Sequence, residues 1–325
     1  MTTDLPQNFA WVENMKKYEG NPIIRPHGKW AADLVFNPAA IVKDDQVMLL
    51  CRCVNLADKR RGKKCWSVSS LVWARSNDGI NFELDDEPLL YPDENCKYDG
   101  GFEDPRIVYI PEEEVYILTY TGVSFEEDGT LNAPGLMATS KDLENWEFHG
   151  EKFPARAVCI IDRKINDKYW GYYGNSSKFI TWSYDLINWH CDGETLITPR
   201  EGLFDSQLCE GACPPIYSDN GILLIYNGAA TIEFTKNYST KNFGMQAYTN
   251  WGMYSTGWVL IDKDDPTKVI ARCEEPFLAP YERFECYGFV NFTFFSGGHV
   301  EFKGKHYLYY GACDNRIGVA IAESN

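Results

Sequence analysis

Residues 223–228 read Leu-Leu-Ile-Tyr-Asn-Gly, an apolar and aromatic strand that ends in a turn. Segments of this kind occur five times in the chain, at residues 47–52, 116–122, 169–174, 223–228 and 306–311. Val, Ile, Tyr and Phe favour strands, and turn residues at the strand ends favour short antiparallel connections. The repeats therefore predict an all-β fold built from five similar units.

A second repeated element follows three of these strands, at residues 74–82, 138–146 and 181–189. Each copy is a strand followed by Ser-x-Asp, two further residues, and an Asn that precedes an aromatic residue. Ser and Asp side chains accept hydrogen bonds from backbone amides in turns. The pattern therefore predicts a hairpin whose aromatic residue packs back on the sheet.

Two strands and a hairpin, repeated five times, are typical of the blades of a β-propeller. The 325 residues divide into five repeats of about 65, enough for four strands and their loops in each. We therefore predict a single domain, residues 1–325, folded as a five-bladed β-propeller with a central axial pocket. A β-sandwich with coincidental Tyr-Gly strand ends is the alternative.

The composition excludes several classes of protein. With 31 Lys and Arg against 47 Asp and Glu, the net charge of −16 argues against nucleic-acid or anionic-membrane partners. No apolar run approaches the roughly 20 residues of a membrane-spanning helix, and the first eight residues lack the pattern of a secretion signal. Eleven scattered cysteines, none paired with a His at zinc-like spacing, favour free thiols in the cytoplasm. We expect no metal and no cofactor.

The densest polar cluster precedes a strand at residues 100–107, which read Gly-Gly-Phe-Glu-Asp-Pro-Arg-Ile. Glu103, Asp104 and Arg106 suit a pre-organised carboxylate at the inner end of a blade, although, taken alone, the cluster favours a turn with an internal ion pair. Other polar side chains occur at equivalent strand ends, namely Asp33, Asn37, Glu210 and Asp314. Together they predict an acidic, aromatic-walled cavity that suits a neutral sugar. Two carboxylic acids across such a cavity can cleave a glycosidic bond.

Three of these segments resemble motifs of glycoside hydrolase family 130. They are residues 36–40 (Phe-Asn-Pro-Ala-Ala), 101–106 (Gly-Phe-Glu-Asp-Pro-Arg) and 309–314 (Tyr-Tyr-Gly-Ala-Cys-Asp). The resemblance extends from about residue 20 to 322. It implies a five-bladed propeller that acts on β-mannosides with inversion and without a metal. Most members are phosphorylases that release mannose 1-phosphate, and a smaller group hydrolyses β-1,2-linked mannosides.

The resemblance also implies roles for single residues. Asp104 matches the general acid, Asn37 and Asp314 match positions at the mannosyl pocket, and Arg52 and Arg106 match arginines that line the site. The full set that we predict to bind substrate is Asp33, Asn37, Arg52, Glu103, Arg106, Tyr173 and Asp314.

At three places where the phosphorylases of this family carry a cationic side chain, this chain has an uncharged one. It has residues 173–175 (Tyr-Gly-Asn) where they have His-Arg-Pro, Pro134 where they have Arg, and Leu208 where they have Lys. Glu210 stands where the hydrolases have a Glu. A carboxylate near the anomeric carbon repels a phosphate dianion and can deprotonate water. The departures therefore favour hydrolysis.

We therefore predict an inverting glycosidase that hydrolyses β-mannosides, with β-1,2-linked manno-oligosaccharides as the expected substrates. Asp104, directly or through a substrate hydroxyl, protonates the glycosidic oxygen, and Glu210 activates water. Phosphate is a partner only if the chain is instead a β-mannoside phosphorylase, for which Arg52, Arg106, Arg156 and Lys178 could supply the positive charge. A mannosyltransferase and a non-catalytic sugar-binding propeller are the remaining alternatives.

Two further predictions concern the surroundings of the site. Glu233 and Glu285 are candidates for a second base, each of them equally explained as surface charge. The aromatic residues in the loop at 229–254 are expected either to wall the leaving-group subsite or to pack only against one another.

Overall fold

The computed structural model describes residues 5–57, 68–244 and 246–324. These residues form twenty-three strands, two short α-helices and one turn of 3-10 helix at Gln7–Phe9, so the all-β prediction is confirmed. The ten cysteines in this part of the chain are free thiols, eight of them buried, and Cys65 lies outside the described residues. Within the same residues no helix is long and apolar enough to cross a membrane.

The strands are numbered in chain order. The first ten are β1 (Lys16–Lys17), β2 (Leu34–Lys43), β3 (Gln46–Val54), β4 (Ser69–Ser76), β5 (Glu83–Leu84), β6 (Gly101–Ile110), β7 (Val115–Phe125), β8 (Leu131–Asn132), β9 (Gly135–Ser140) and β10 (Trp146–Phe153). The next ten are β11 (Cys159–Ile165), β12 (Lys168–Tyr173), β13 (Lys178–Ser183), β14 (Trp189–His190), β15 (Thr195–Ile197), β16 (Leu208–Gly211), β17 (Ile216–Ser218), β18 (Gly221–Ala229), β19 (Tyr254–Ile261) and β20 (Val269–Arg272). The last three strands are β21 (Phe294–Phe302), β22 (Lys305–Ala312) and β23 (Arg316–Glu323), and the helices are α1 (Ile232–Phe243) and α2 (Arg283–Cys286).

Antiparallel pairing sorts the strands into five groups. The groups are β2 to β5, β6 to β10, β11 to β15, β16 to β20, and β21 to β23 together with β1. A single parallel bridge between Ser69 and Gly101 joins the first two groups into one nine-stranded sheet. The first and last strands are neighbours, since Lys16 of β1 lies opposite Ile321 of β23.

The five groups follow one another in a closed cycle of contacts. Strand β2 packs against β6, β6 against β11, β11 against β17, β19 against β21, and β21 against β2. Apolar side chains fill the spaces between neighbouring groups, for example Leu50, Leu71 and Leu118 between the first and the second. The first strands of the groups are thereby brought together.

The predicted Ser-x-Asp hairpins are present. Asp78 Oδ1 accepts hydrogen bonds from the backbone N of Ile80 and Asn81 at 2.9 and 2.8 Å, and Asp78 Oδ2 accepts one from Asn81 Nδ2 at 2.7 Å. The same three bonds recur around Asp142 and Asp185. One local sequence pattern therefore gives the same turn in three different groups.

Two inner strands carry the same irregularity. The pairing of β2 with β3 shifts at Asn37-Pro38, and that of β6 with β7 shifts at Asp104-Pro105. Asn37 and Asp104 have positive φ angles of 45° and 48°, a conformation that Asn and Asp tolerate better than most residues. Asp314, in the turn after β22, has a φ of 49°. These three polar residues lie where the regular strand geometry is broken.

The segment 229–254 differs from the predicted loop, because Ile232–Phe243 forms helix α1. Thr231 caps its first turn, with the side chain accepting from Phe234 N at 3.1 Å, and Gly244 ends it in the left-handed conformation. The sequence pattern missed the helix because only Thr235 and Ser239 are buried in it, so no apolar stripe marks one face.

Candidate active site

A pocket of about 200 Å³ lies at the ends of the inner strands. It is lined by Asn37, Arg52, Asp104, Arg156, Glu210, Trp251, Tyr254, Val290, Thr293, Phe295 and Asp314. These residues come from the first, second, fourth and fifth strand groups and from the segments beside them. The pocket unites both predicted catalytic carboxylates with three predicted substrate-binding residues.

Asp104 is held by two neighbours on one carboxylate oxygen. Its Oδ1 accepts hydrogen bonds from Asn37 Nδ2 at 2.9 Å and from Arg52 Nη1 at 3.2 Å. The residue is only 5% exposed. Burial alone would raise the pKa of Asp104, but the positive charges of Arg52, Arg106 and Arg156 outweigh burial and lower it. Asp104 is therefore both oriented and kept ionised by its surroundings.

Arg52 is committed to protein partners. Besides Asp104 it binds Glu103 Oε1 through Nη2 and donates from Nε to Ser69 Oγ at 2.9 Å. Its guanidinium lies 4.6 Å from the ring centre of Phe36. Glu103 in turn faces Arg156, whose Nη1 is 3.6 Å from Glu103 Oε2. Glu103 thus fixes the two arginines that line the pocket and does not line it itself.

Arg106 lies behind the pocket wall and connects the two catalytic candidates. It donates from Nη1 to the backbone O of Asp104 at 2.6 Å and from Nη2 to the backbone O of Gly211 at 2.6 Å. Its Nη2 is also 3.8 Å from Glu210 Oε1. Arg106 is 3% exposed and is not among the lining residues, so its bonds place it as a positioning residue for Asp104 and Glu210, and its predicted contact with substrate stays a prediction.

Glu210 is a buried carboxylate with an unsatisfied oxygen. It is 5% exposed, and its Oε1 has no hydrogen-bond partner among the described residues. Burial raises the pKa of Glu210 and the nearby charge of Asp104 adds to the rise, against the opposing effect of Arg106. A carboxylate with a raised pKa and a free acceptor oxygen suits a general base.

Lys178 lies beneath this carboxylate without reaching the pocket. It is fully buried, and its Nζ donates to the backbone O of Ala157 at 2.6 Å and of Gly174 at 2.9 Å. Burial lowers the pKa of Lys178 to about 8. Its bonds to two carbonyl groups make it an internal counter-charge and not a ligand for an incoming anion.

Asp314 is the third carboxylate of the pocket. Burial raises its pKa to about 7, and the negative charges of Asp104, Glu103 and Glu210 add to the rise against the effect of Arg52. Among the three carboxylates, Asp314 and Glu210 are therefore biased toward the protonated form, while Asp104 is biased toward the ionised form. The pocket holds a proton close to neutral pH.

Asp33 and Tyr173, like Glu103 and Arg106, are not among the residues that line the pocket. The carboxylate of Asp33 accepts a hydrogen bond from Leu56 N at 2.6 Å, which ties the residue before β2 to the segment after β3. Tyr173 is 4% exposed, and its ring packs 5.5 Å from that of Phe179 between strand groups. It lies on β12, the second strand of its group, and its side chain serves the core.

Neither candidate for a second base reaches the pocket. Glu233 is exposed in the first turn of α1. Glu285 is completely buried, and its carboxylate accepts hydrogen bonds from Lys17 Nζ at 2.5 Å, Tyr310 Oη at 2.7 Å and two backbone amides. Both predictions are corrected, since one side chain faces solvent and the other is fully occupied.

Several lining residues were missed in the sequence. Val290, Thr293 and Phe295 precede or begin β21, the inner strand of the fifth group. They reach the pocket through contacts between distant segments, such as the bridge between Thr293 and Tyr254, which no short sequence pattern marks. Among the described residues, no cluster of His, Cys, Asp or Glu is arranged to hold a metal ion.

Comparison with known proteins places these features in context. A family model described as beta-1,4-mannooligosaccharide phosphorylase, of glycoside hydrolase family 130, matches residues 7–325. A curated Thermoanaerobacter sp. (strain X514) protein named beta-1,2-mannobiose phosphorylase is 34% identical, over 95% of this chain and 97% of that protein.

Solved structures of the same family are also similar. One comes from work on family 130 glycoside hydrolases that target beta-1,2-mannosidic linkages in Candida mannan; it is 31% identical, with a TM-score of 0.82 over 100% of this chain and 99% of that chain. The Listeria innocua beta-1,2-mannobiose phosphorylase in complex with β-1,2-mannobiose is 27% identical, with a TM-score of 0.79 over 95% of this chain and 97% of that chain.

Proposed function

Because the chain belongs to glycoside hydrolase family 130, we propose that it cleaves β-mannosidic bonds in small mannosides, with inversion at the anomeric carbon. The observation that carries this proposal is the convergence of Asp104, Glu210 and Asp314 on one pocket. The proposed substrates are β-1,2-linked manno-oligosaccharides, since this linkage occurs in the names of the Thermoanaerobacter and Listeria relatives.

We propose that the five strand groups are the blades of a single β-propeller domain covering residues 1–325. The closed cycle of contacts between successive groups supports this arrangement. So does the pocket, because residues of four groups meet at the ends of their inner strands. In a propeller such a pocket lies on the central axis.

Asp104 is the proposed proton donor, and its lowered pKa constrains how it works. An efficient general acid has a pKa near the operating pH, whereas the arginines around Asp104 favour its ionised form. To act, Asp104 must first take up a proton; it then gives this proton to a substrate hydroxyl while that hydroxyl gives its own to the glycosidic oxygen. Asp314, whose pKa is raised to about 7, is the group in the pocket best able to supply that proton near neutral pH.

Similarity favours phosphate as the group that attacks the sugar. The family description and the curated Thermoanaerobacter and Listeria relatives are phosphorylases. The structure associated with β-1,2-mannoside hydrolysis is about as similar in sequence. The named relatives thus support phosphorolysis better than the hydrolysis that the sequence motifs predict.

The charged groups of the pocket favour water over phosphate as the group that attacks the sugar. Three carboxylates and two guanidinium groups line it, and Arg52 and Arg156 already face Glu103. Arg106 and Lys178 are bound to backbone carbonyls behind the wall. A phosphate dianion would therefore meet Glu210 without an uncommitted cation among the described lining residues. This geometry supports hydrolysis, with Glu210 activating water, as the alternative to the phosphorolysis that the named relatives favour.

Product analysis separates the two reactions. Purified protein is incubated with β-1,2- and β-1,4-mannobiose, with and without inorganic phosphate, and the products are resolved by anion-exchange chromatography. Free mannose formed at a rate independent of phosphate supports hydrolysis. Mannose 1-phosphate formed only when phosphate is present identifies a phosphorylase. Asp104→Asn is the control, because it should abolish either product. Absence of cleavage in the wild type would overturn the proposal.

A further inference from the structure

Exposed aromatic side chains occur in the two segments that contribute Trp251 and Val290 to the pocket. Trp251 lines the pocket and is nevertheless 65% exposed, and Tyr248 beside it is 80% exposed. Tyr287, in the neighbouring loop, is 45% exposed. Large exposed aromatic groups are costly in water and mark binding surfaces when they are clustered.

The backbone that carries Trp251 is firmly held although the indole is exposed. Ala247 N and Met253 N, on either side, donate to Ser239 Oγ and Thr235 Oγ1 of α1, both at 2.6 Å. Asn291 also anchors this segment, with Nδ2 donating to the backbone O of Tyr248 at 3.1 Å. Residues 246–253 are therefore pre-organised, which lowers the entropic cost of binding a ligand against them.

The pocket that Trp251 lines also has an unpaired polar group. Thr293 is 3% exposed and lines the pocket, and its Oγ1 has no hydrogen-bond partner among the described residues. Thr293 forms an isolated bridge with Tyr254, which also lines the pocket. A buried hydroxyl without a partner is costly unless a ligand completes its bonding. The pocket thus offers both an aromatic face and a free hydroxyl.

The volume of the pocket determines how much of a substrate fits inside it. Drug-sized ligands occupy roughly 300 to 1,000 Å³, so a pocket of about 200 Å³ suits one sugar ring. Any further ring of an oligosaccharide lies at the mouth, where Trp251 is exposed. The chemistry at the mouth matches a sugar, which presents C–H groups to aromatic faces and hydroxyls to polar groups.

We propose that Trp251, together with Thr293, forms an extended subsite for the leaving-group sugars and makes the protein select mannosides of three or more units over mannobiose. The inference rests on the proposed function and specifies the substrate class. The indole supports the ring farther from the cleaved bond, and the Thr293 hydroxyl binds the ring next to that bond. Trp251 is thereby a specificity-determining residue.

The test compares two substrates in matched variants. Trp251→Ala should lower kcat/KM for β-1,2-mannotriose about 3- to 10-fold more than for β-1,2-mannobiose. Trp251→Phe keeps an aromatic ring, so it should retain most of the wild-type preference for mannotriose. Tyr184→Ala removes an aromatic group that is 58% exposed and does not line the pocket, so it should leave both values unchanged.

The outcomes distinguish this inference from the proposed function. If the wild type cleaves neither substrate, the proposed function fails. If it cleaves both and Trp251→Ala reduces them equally, or not at all, the extended subsite is wrong. A change of molecular mass in solution on Trp251→Ala would show that the aromatic cluster is instead an interface between protein copies, and would also overturn the inference.

Discussion

Asn37 and Asp104 are joined by a 2.9 Å hydrogen bond from Nδ2 to Oδ1, although they lie 67 residues apart in the chain. Both occupy the residue before a proline at a break in strand pairing, and both have a positive φ angle. The same local irregularity in two neighbouring strands therefore turns two polar side chains toward each other. Two polar groups of the pocket are positioned by this repetition.

Asn37→Ala should alter the ionisation of Asp104. The amide bonds to the carboxylate and helps to lower its pKa, so its loss raises that pKa and removes one restraint on the side chain. We expect kcat/KM to fall about tenfold or more and the alkaline limb of its pH profile, which reports the protonated form of Asp104, to move to higher pH. Asn220→Ala, at an exposed site, is the control. An unchanged pH profile would contradict the assigned role.

Glu210→Gln should affect hydrolysis and phosphorolysis differently. If Glu210 removes a proton from water, the neutral amide lowers kcat about 10²- to 10⁴-fold while the fold is retained. If phosphate attacks the sugar, loss of the negative charge has little effect or lowers the KM for phosphate. Measuring both reactions with Glu210→Gln and with the exposed Glu233→Gln control distinguishes the two roles.

Asp314→Asn should stabilise the protein at alkaline pH. An unfolded Asp has a pKa near 3.9, whereas burial raises that of folded Asp314 to about 7. The folded state therefore holds a proton that the unfolded state releases, and the free energy of unfolding falls as pH rises between these values. Asn does not ionise, so this loss is absent in the variant.

At pH 8 Asp314→Asn should exceed the wild type by roughly 1–4 kcal/mol in unfolding free energy, and at pH 4 the difference should vanish. Denaturant unfolding at both pH values measures this, with Asp219→Asn at an exposed position as the control. An advantage of equal size at both pH values would show that the change is unrelated to ionisation. Activity is expected to fall, because the side chain lines the pocket.

Asp185→Ala should destabilise the third strand group. Asp185 accepts hydrogen bonds from Ile187 N, Asn188 N and Asn188 Nδ2 at 3.0, 2.8 and 2.7 Å. The hydrogen bonds from Asn188 in particular hold the pKa of Asp185 well below its usual range. The ionised carboxylate therefore stabilises the folded state at pH values above the pKa of Asp185 in the unfolded chain, and this contribution is lost as pH falls. We expect the Tm to drop by about 2–4 °C at pH 7.

The matched control for this turn is Asp192→Ala, at an exposed position after β14. The difference in Tm between Asp185→Ala and the wild type should become smaller in acid, because the wild-type carboxylate is then also uncharged. A difference that stayed constant down to pH 2 would show that packing and not hydrogen bonding is affected.

The all-β fold could be predicted because its signals are local. Each Ser-x-Asp turn is made by five or six consecutive residues, and its geometry around Asp78 is the same as around Asp142 and Asp185. Helix α1 could not be predicted in this way. Its boundaries are set by Thr231 and Gly244, but it lacks the apolar periodicity that usually identifies a helix.

Residues of the candidate site could be predicted from the sequence when a short motif determines the position of their side chains. Asn37 and Asp104 each precede a proline in an inner strand, and both line the pocket. Thr293 lines it because the chain forms a bridge with Tyr254, a contact between segments about 40 residues apart that no short pattern encodes. Tyr173 does not line the pocket, since its strand end resembles the others but belongs to a second and not an inner strand.

Strand β1 forms the edge of a sheet whose other members are the last three strands of the chain. During synthesis on the ribosome, Lys16 and Lys17 emerge some 300 residues before Ala320 and Ile321, which pair with them. The fifth group therefore cannot be completed until almost the whole chain has been translated. For the same reason, a circular permutant that joins the two ends of the chain through a linker, keeps the buried residues Phe9, Trp11 and Val12 and opens at an exposed hairpin should retain every strand pairing.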